Sequence, residues 1–279
     1  MRWARAWRVP ARAFAARASY EPVIDLHCHL LPGIDDGPDD FEGAIALARA
    51  AAAAGTQTLV ATPHIDHWWH VEPATLPERA AEVRAALAAA GVEMAVAVSG
   101  EIALTRLVEL TDDELAALSL GPARHLLLEA PLSPGAGHFD PVLLAMQDRG
   151  WRVLLAHPER CPAFLRRPER LERLLEAGVL VQVTAGSLAG QFGNEILKTT
   201  VRWIEAGWVH VVASDAHDAY RRPPGLLEPI ERAGLAALAP WLTEAVPRSI
   251  LEGTPVPERP PLPERPAPRG LFGRFRPRA

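Results

Sequence analysis

Two histidines two residues apart, His27 and His29, end a short apolar segment near the start of the chain. A strand places alternate side chains on one face, so Asp25 can point the same way as both imidazoles. Two imidazoles and a carboxylate at one strand end could form half of a metal site. The spacing also occurs by chance, but histidine, aspartate or glutamate lies at the ends of later predicted strands too.

The elements that must position these residues alternate between strands and helices. Seven short apolar segments are predicted strands: Val23–His27, Gln57–Ala61, Met94–Val98, His125–Leu128, Arg152–Ala156, Leu180–Val183 and His210–Ala213. Five segments between them predict helices that each stop at a glycine: one from Asp39-Asp40 to Gly55, then Leu76–Ala90, Asp140–Arg149, Leu171–Ala177 and Asn194–Ala206. Seven β-then-α units predict an α/β fold with a parallel, TIM-like barrel rather than an open sheet.

In such a barrel the chemistry sits on the loops that follow the strands. The candidates fall at those positions, in strand order: His29, Asp35 and Asp36, then His64, Glu101, Glu129, His157, and finally Asp215 with His217. Pro158 predicts an extended backbone at His157. Gly100 has no side chain, so we expect the Glu101 carboxylate to approach the candidate site with little steric crowding. His125 and His210 begin their strands, so a structural role is predicted for both.

The candidate ligands are imidazoles from separate strands and several carboxylates. They are more numerous than one zinc ion needs. Such mixed sites suit Mn²⁺, Fe²⁺ or Zn²⁺. A carboxylate bridging two ions is typical of phosphoester chemistry. Arg160 and Arg222 flank the candidate site in sequence, and a guanidinium group matches a phosphate bidentately.

Other residues near the site have weaker interpretations. Cys28 should point away from His27 and His29 and serve packing. His67, His70 and His138 lie in predicted loops, where they could touch a substrate or simply be exposed. Trp68-Trp69 could form a wall of the substrate mouth, and a surface patch is the equal alternative.

Composition excludes several protein classes. The net charge of −5 gives no sign of nucleic-acid binding, and no apolar run reaches the roughly 18 residues of a membrane span. Two cysteines are too few for a disulfide framework, so a reduced cytoplasm is expected. Three regions are predicted. Residues 1–20 form a disordered or weakly helical extension, residues 21–253 form the barrel, and residues 254–279 form a flexible tail that is rich in proline and arginine. Residues 1–20 could form a weak amphipathic helix at a membrane surface, and the basic tail could contact a membrane or an acidic partner.

Six stretches of the chain resemble the PHP (polymerase and histidinol phosphatase) superfamily. They are most similar to its bacterial protein-tyrosine phosphatases of the CpsB/CapC type, from capsule biosynthesis. The matching stretches are Ile24–His29, Leu31–Gly37, Ala61–His64, Ala156–Arg160, Gln182–Leu188 and Ala213–His217. The Pro-Gly-Ile-Asp-Asp-Gly and Thr-Ala-Gly-Ser-Leu sequences separate this branch from the histidinol phosphatases.

This resemblance implies a distorted (β/α)₇ barrel of the PHP fold with up to three divalent ions, often manganese. It implies that a metal-bridging hydroxide attacks phosphorus, and that Arg160 and Arg222 bind the phosphate. The implied substrate is the phosphotyrosine tail of a tyrosine autokinase that controls capsular or exopolysaccharide synthesis. The implied ligand sets are His27, His29, Glu101 and Asp215 for one ion, Glu101, Glu129 and His157 for a second, and Asp36, His64 and His217 for a third.

Two other functions remain open from the sequence. The same barrel could serve a small-molecule phosphoesterase of the histidinol-phosphatase kind. The chain could also be a metal-binding scaffold without turnover that uses its tail to join an export complex.

Overall fold

The computed structural model describes residues 22–133 and 139–262. The predicted N-terminal extension and His138 lie outside these residues, as does the tail beyond residue 262. The part of the predicted tail that is described packs on the body of the protein. The Arg259 guanidinium donates to the Ile204 carbonyl at 2.7 Å, and the Trp241 indole donates to the Pro257 carbonyl at 3.1 Å. Residues 254–262 therefore belong with the packed region rather than with a free tail.

Parallel strands make up two sheets. The strands are β1 (Val23–Cys28), β2 (Thr56–Ala61), β3 (His64–Ile65), β4 (Ala95–Val98), β5 (Glu101–Ala103), β6 (His125–Glu129), β7 (Arg152–Ala156), β8 (Leu180–Thr184) and β9 (Val211–Ala213). One sheet has the order β1-β2-β4 and the other the order β3-β5-β6-β7-β8-β9. Every strand pair is parallel. All seven predicted strands are present, and the parallel α/β prediction is confirmed.

The short strands β3 and β5 were not predicted. They continue β2 and β4 after brief interruptions, and backbone hydrogen bonds bridge the breaks: Ser99 N–H donates to the Ala61 carbonyl and Glu101 N–H to the Pro63 carbonyl. At the other side of the smaller sheet, Asp215 N–H donates to the His27 carbonyl and His29 N–H to the Ala216 carbonyl. The smaller sheet is thus joined to the larger one along its β1 edge and through the ends of β2 and β4. The strand ends that carry the candidate residues meet at these junctions.

Helices fill the connections between strands. They are α1 (Phe41–Ala53), α2 (Leu76–Ala89), α3 (Leu104–Leu107), α4 (Asp112–Ala117), α5 (Asp140–Asp148), α6 (Pro162–Arg166), α7 (Glu169–Glu176), α8 (Ala185–Leu188), α9 (Asn194–Glu205), α10 (Leu227–Arg232) and α11 (Val246–Glu252). The five predicted helices correspond to α1, α2, α5, α7 and α9. The Asp40 carboxylate accepts from Gly43 N–H at 2.9 Å and caps α1, which explains its acidic start. The shorter helices lack the apolar periodicity on which the prediction depended.

The core lies on both faces of the larger sheet. Successive residues of β6 and β7, such as Leu126 with Leu127 and Leu154 with Leu155, are all fully buried. A strand with solvent on one face would instead alternate buried and exposed side chains, so both faces of this sheet are covered. Among the described residues, no helix is long and apolar enough to span a membrane.

His125, at the start of β6, makes the folded state sensitive to acid. It is 2% exposed and its Nδ1 has no hydrogen-bond partner. Burial, followed by the charge of Arg152, lowers its pKa to about 4. The unfolded chain therefore binds a proton more readily, and stability falls as the pH drops below about 6.5.

We expect the His125→Leu variant to lose part of this acid sensitivity. Between pH 7 and pH 5 the wild type should lose about 1–2 kcal/mol more unfolding free energy than the variant. Urea titrations at the two pH values measure the difference. Trp68→Leu, at an exposed residue that carries no titratable group, serves as the control and should leave the pH dependence unchanged. An equal pH dependence in wild type and His125→Leu would contradict the expectation.

Candidate metal centre

The exit of β1 carries the first group of candidate ligands. His27 Nε2 lies 3.3 Å from Glu101 Oε2 and 3.5 Å from Asp215 Oδ1. His29 Nε2 lies 3.4 Å from Glu101 Oε2 and 3.5 Å from Asp215 Oδ1. All four side chains are buried, and their ligand atoms lie within 4.8 Å of one another. Residues more than 70 positions apart in sequence thus face one small volume.

Glu101 also belongs to a second group, with Glu129 from the end of β6 and His157 from the end of β7. Its Oε1 lies 2.6 Å from His157 Nε2, whereas its Oε2 faces the first group. The two oxygens of one carboxylate therefore serve two neighbouring groups. This is the geometry that a carboxylate bridging two ions requires.

A third group gathers Asp36 with His64 and His217. Asp36 Oδ1 lies 3.4 Å from His64 Nε2 and 3.0 Å from His217 Nε2. His29 lies within reach of this group as well as of the first. The position of His29 between two groups was not predicted. With it, the structure brings all nine predicted ligands into three adjoining groups.

The chemistry of these groups fits divalent ions. His27 Nε2, His29 Nε2 and Glu101 Oε2 are buried and have no hydrogen-bond partner. Buried polar atoms without a hydrogen-bond partner lower the stability of the folded state and are rare in proteins. Because they converge on one another and are all metal-ligating atom types, a coordinated ion would satisfy them together.

The pKa shifts reflect the crowding of charge in the site. Burial, and then the charge of Glu101, raises the pKa of Glu129 to about 7. Burial, and then the charge of Arg160, lowers the pKa of His157 to about 4. A neutral imidazole is the form that coordinates a metal. Burial also opposes the charged form of His27, but the carboxylates of Glu101 and Asp215 outweigh it and raise its pKa.

Buried partners orient the imidazoles of β1 from behind. The His27 Nδ1 lies 3.0 Å from Gln182 Oε1, and the His29 Nδ1 lies 2.7 Å from Asp35 Oδ2. Partners of this kind fix the ring orientation of metal-binding histidines. Asp35 was a sequence candidate without an assigned role. Gln182 was missed, although a polar residue inside an apolar strand was the signal that could have revealed it.

Asp25 differs from the expectation. It was predicted to face the site with His27 and His29, but it belongs to none of the three groups. Its Oδ1 accepts from the backbone N–H groups of Ser214 at 3.0 Å and His27 at 3.3 Å. Asp25 lies two residues before His27 in β1 and therefore farther from the strand end. Its hydrogen bond with Ser214 links β1 to the end of β9.

The backbone at His157 also corrects the sequence interpretation. An extended conformation before Pro158 was predicted, but His157 is left-handed, with φ 35° and ψ 49°. Its N–H donates to the Gln182 carbonyl at 2.8 Å, which ties the residue to β8 just after β7 ends. Asp215 is left-handed too, with φ 52°. Two strained residues at one site indicate that the surrounding structure maintains their positions for function.

Gly100 is required for a different reason from the one predicted. A Cβ at this position would lie 2.6 Å from Ile65 Cγ1 and 2.8 Å from Leu118 Cδ2. The glycine therefore admits two core side chains against the backbone between β4 and β5. Through this close packing it fixes the start of β5, where Glu101 lies.

Two arginines reach the ligand groups. Arg160 Nη1 lies 2.9 Å and Arg222 Nη2 lies 2.7 Å from the same atom, Asp215 Oδ2. Arg222 Nη1 is also 2.7 Å from His217 Nε2. Both arginines line a cavity of about 410 Å³ together with members of all three groups. Two guanidinium groups beside a ligand cluster provide a place for a phosphate.

The tryptophan loop does not take part in this cavity. Trp68 is 80% exposed, and neither it nor Trp69 lines the cavity. Their backbone N–H groups both donate to Asp66 Oδ1, which forms a tight turn. Of the two interpretations, the surface patch agrees with the structure, and the wall of the site is formed by other residues.

Comparison with known proteins identifies the family. A family model described as "Capsular polysaccharide synthesis, CpsB/CapC" matches residues 23–234. The chain belongs to the CpsB/CapC family. The resemblance seen in the sequence is therefore confirmed, and the match spans the strand ends that carry all three ligand groups.

Individual members of the CpsB/CapC family are similar over most of their length. The tyrosine-protein phosphatase YwqE of Bacillus subtilis is 34% identical over 257 residues, which is 91% of this chain and all of that protein. The tyrosine-protein phosphatase CpsB of Streptococcus pneumoniae is 28% identical over 210 residues, 72% of this chain and 86% of that protein. A solved structure from work on YwqE and CpsB, described as unique metal-dependent tyrosine phosphatases, matches with a TM-score of 0.76 and 31% identity. It covers 87% of this chain and 100% of that one.

Proposed function

We propose that this chain is a metal-dependent protein-tyrosine phosphatase. Its substrate would be phosphotyrosine on a bacterial tyrosine autokinase, and its role the regulation of capsular or exopolysaccharide synthesis. The observation that carries the proposal is the set of three adjoining ligand groups, linked by Glu101 and His29, with two arginines beside them. The phosphatases YwqE and CpsB support the substrate class.

The proposed ligands follow the three groups. One ion would be held by His27, His29, Glu101 and Asp215, a second by Glu101, Glu129 and His157, and a third by Asp36, His64 and His217. Mixed imidazole and carboxylate donors suit Mn²⁺, with Fe²⁺ or Zn²⁺ as alternatives. When bound, such ions neutralise phosphate charge and generate a nucleophile from water at neutral pH.

The protein itself contributes binding and orientation. Arg160 and Arg222 would hold two phosphate oxygens, because their guanidinium groups already converge beside the ligand groups. Gln182 and Asp35 would keep the imidazoles of His27 and His29 aimed at the site.

Neither cysteine is placed to act as a nucleophile. Cys28 and Cys161 are buried, and neither lines the cavity. Burial raises the pKa of both thiols, which disfavours the reactive thiolate. This supports direct attack on phosphorus by an activated water without a cysteine phospho-intermediate.

We further propose that the two sheets form one distorted TIM-like (β/α)₇ barrel. The backbone hydrogen bonds between β1 and the end of β9, and those where β2 and β4 run on into β3 and β5, support this arrangement. If β3 continues β2 and β5 continues β4, the nine strands become seven. The candidate site would then lie at the carboxyl end of the barrel, as such folds require.

The proposal predicts metal-dependent release of phosphate from a phosphotyrosine peptide. With Mn²⁺ present the protein should turn the peptide over. EDTA should lower the rate by about 100-fold or more, because the proposed nucleophile depends on the ions. A thiol-alkylating reagent should leave the rate unchanged.

A malachite-green phosphate assay measures these rates, with re-addition of Mn²⁺ after EDTA as the control for reversible loss. Activity that survives chelation but is lost on alkylation would refute the proposal. A large preference in kcat/KM for histidinol phosphate over the peptide would instead favour the small-molecule alternative.

A further inference from the structure

The cavity that holds the ligand groups has an apolar part that metal binding does not explain. Leu132, Phe192 and Ile196 line it together with the histidines, carboxylates and arginines. Phe192 and Ile196 are half-buried, and Leu132 is exposed. Phosphate and metal ions need no apolar surface, so these side chains point to the group that the phosphate is attached to.

Phe192 is held next to the phosphate-binding region. The Arg160 guanidinium carbon lies 4.8 Å from the centre of the Phe192 ring, which is within the range of a cation–π contact. The same arginine reaches Asp215 with Nη1. One side chain therefore touches the ligand groups at one point and the aromatic ring at another.

The segment after β8 builds this arrangement. The Gln191 N–H donates to the Gly186 carbonyl at 3.0 Å, and the Phe192 ring packs close to Gly186, where a Cβ would lie 3.3 Å from Phe192 Cε2. This glycine belongs to the Thr-Ala-Gly-Ser-Leu sequence, which contributes no metal ligand.

The same motif also holds the turn with Arg160. The buried Glu159 carboxylate accepts from Thr184 N–H at 2.9 Å and from the Ser187 hydroxyl at 2.7 Å. Arg160 and Phe192 are thus both anchored to one short segment, 184–188. Their separation is fixed by local structure rather than by two independent loops.

We propose that Phe192, with Ile196 and Leu132 beside it, is the surface on which the aromatic ring of a substrate rests while Arg160 holds its phosphate. This inference rests on the proposed phosphatase function and names the residues that select aryl over alkyl phosphomonoesters. An aryl ring gains apolar contact and ring–ring attraction on this surface, whereas a short alkyl group reaches none of it.

The test compares two non-hydrolysable probes, phenylphosphonate and methylphosphonate, by calorimetry on the Mn²⁺-loaded protein. We expect the wild type to bind phenylphosphonate about tenfold or more tightly than methylphosphonate. Phe192→Ala should lose most of that preference and bind methylphosphonate within about twofold of the wild type. Phe192→Tyr should retain the preference, because it keeps the ring.

Phe41→Ala is the matched control, since Phe41 is a partly exposed phenylalanine that does not line the cavity. Metal content by elemental analysis should be equal in all variants. Equal weakening of both probes in Phe192→Ala would overturn the proposal, because Phe192 would then act only through Arg160. No preference in the wild type, or a preference that survives in Phe192→Ala, would overturn it as well.

Failure of the phosphatase proposal gives a different result. A wild type that binds both phosphonates but releases no phosphate from a phosphotyrosine peptide would refute the reaction. Intact turnover of that peptide, together with unaltered probe selectivity in Phe192→Ala, would refute only the role of Phe192.

Discussion

Replacing Glu101 with glutamine should remove at least one equivalent of bound metal and lower kcat for a phosphotyrosine peptide by about 10³-fold. The two carboxylate oxygens of Glu101 face two different ligand groups, at 3.3 Å from His27 Nε2 and 2.6 Å from His157 Nε2. An amide keeps the shape of the side chain but loses the negative charge that two cations would share. Metal content by elemental analysis and initial rates measure the two losses.

Glu159→Gln provides the matched control for metal binding. Glu159 is also a fully buried carboxylate, but it bonds to Thr184 and Ser187 and lies in none of the three groups. Its variant should therefore keep the full metal content. Full metal content in Glu101→Gln would refute the bridging role.

Replacing Arg160 with glutamine should lower kcat/KM by about 10²–10³-fold while the metal content stays unchanged. The guanidinium group of Arg160 lies at the edge of the ligand groups, 2.9 Å from Asp215 Oδ2, and is not itself a metal ligand. The variant has no charged donor for the phosphate. The missing interaction costs most in the transition state, because negative charge develops there on the phosphate oxygens. Arg160→Lys should recover only part of the rate, because an ammonium group cannot bind bidentately.

Steady-state kinetics with elemental analysis separate this effect from damage to the metal site. The control is Arg84→Gln, at an exposed arginine whose guanidinium donates to the Val96 carbonyl and which does not line the cavity. It should leave kcat/KM within about twofold of the wild type. A loss of metal in Arg160→Gln would show that Arg160 supports the ions rather than the phosphate.

The candidate ligands could be found from the sequence because of one topological rule. Parallel strands present their carboxyl ends at the same edge of a sheet, so polar residues that follow successive strands must come together. His64 and Glu101 lie directly opposite each other where β3 pairs with β5. Nine residues spread from His27 to His217 could be gathered in this way without any knowledge of distances.

The sequence determined which residue types stand at the strand ends, the parallel α/β class and the longer helices, because local periodicity and polarity encode these features. Only the tertiary structure decided that His29 lies between two groups, that His157 is left-handed and that Asp25 supports β9. It also placed Gln182 behind His27 and Phe192 beside Arg160. These features depend on strand register and on packing between segments that are distant in sequence, and no local pattern of residues records them.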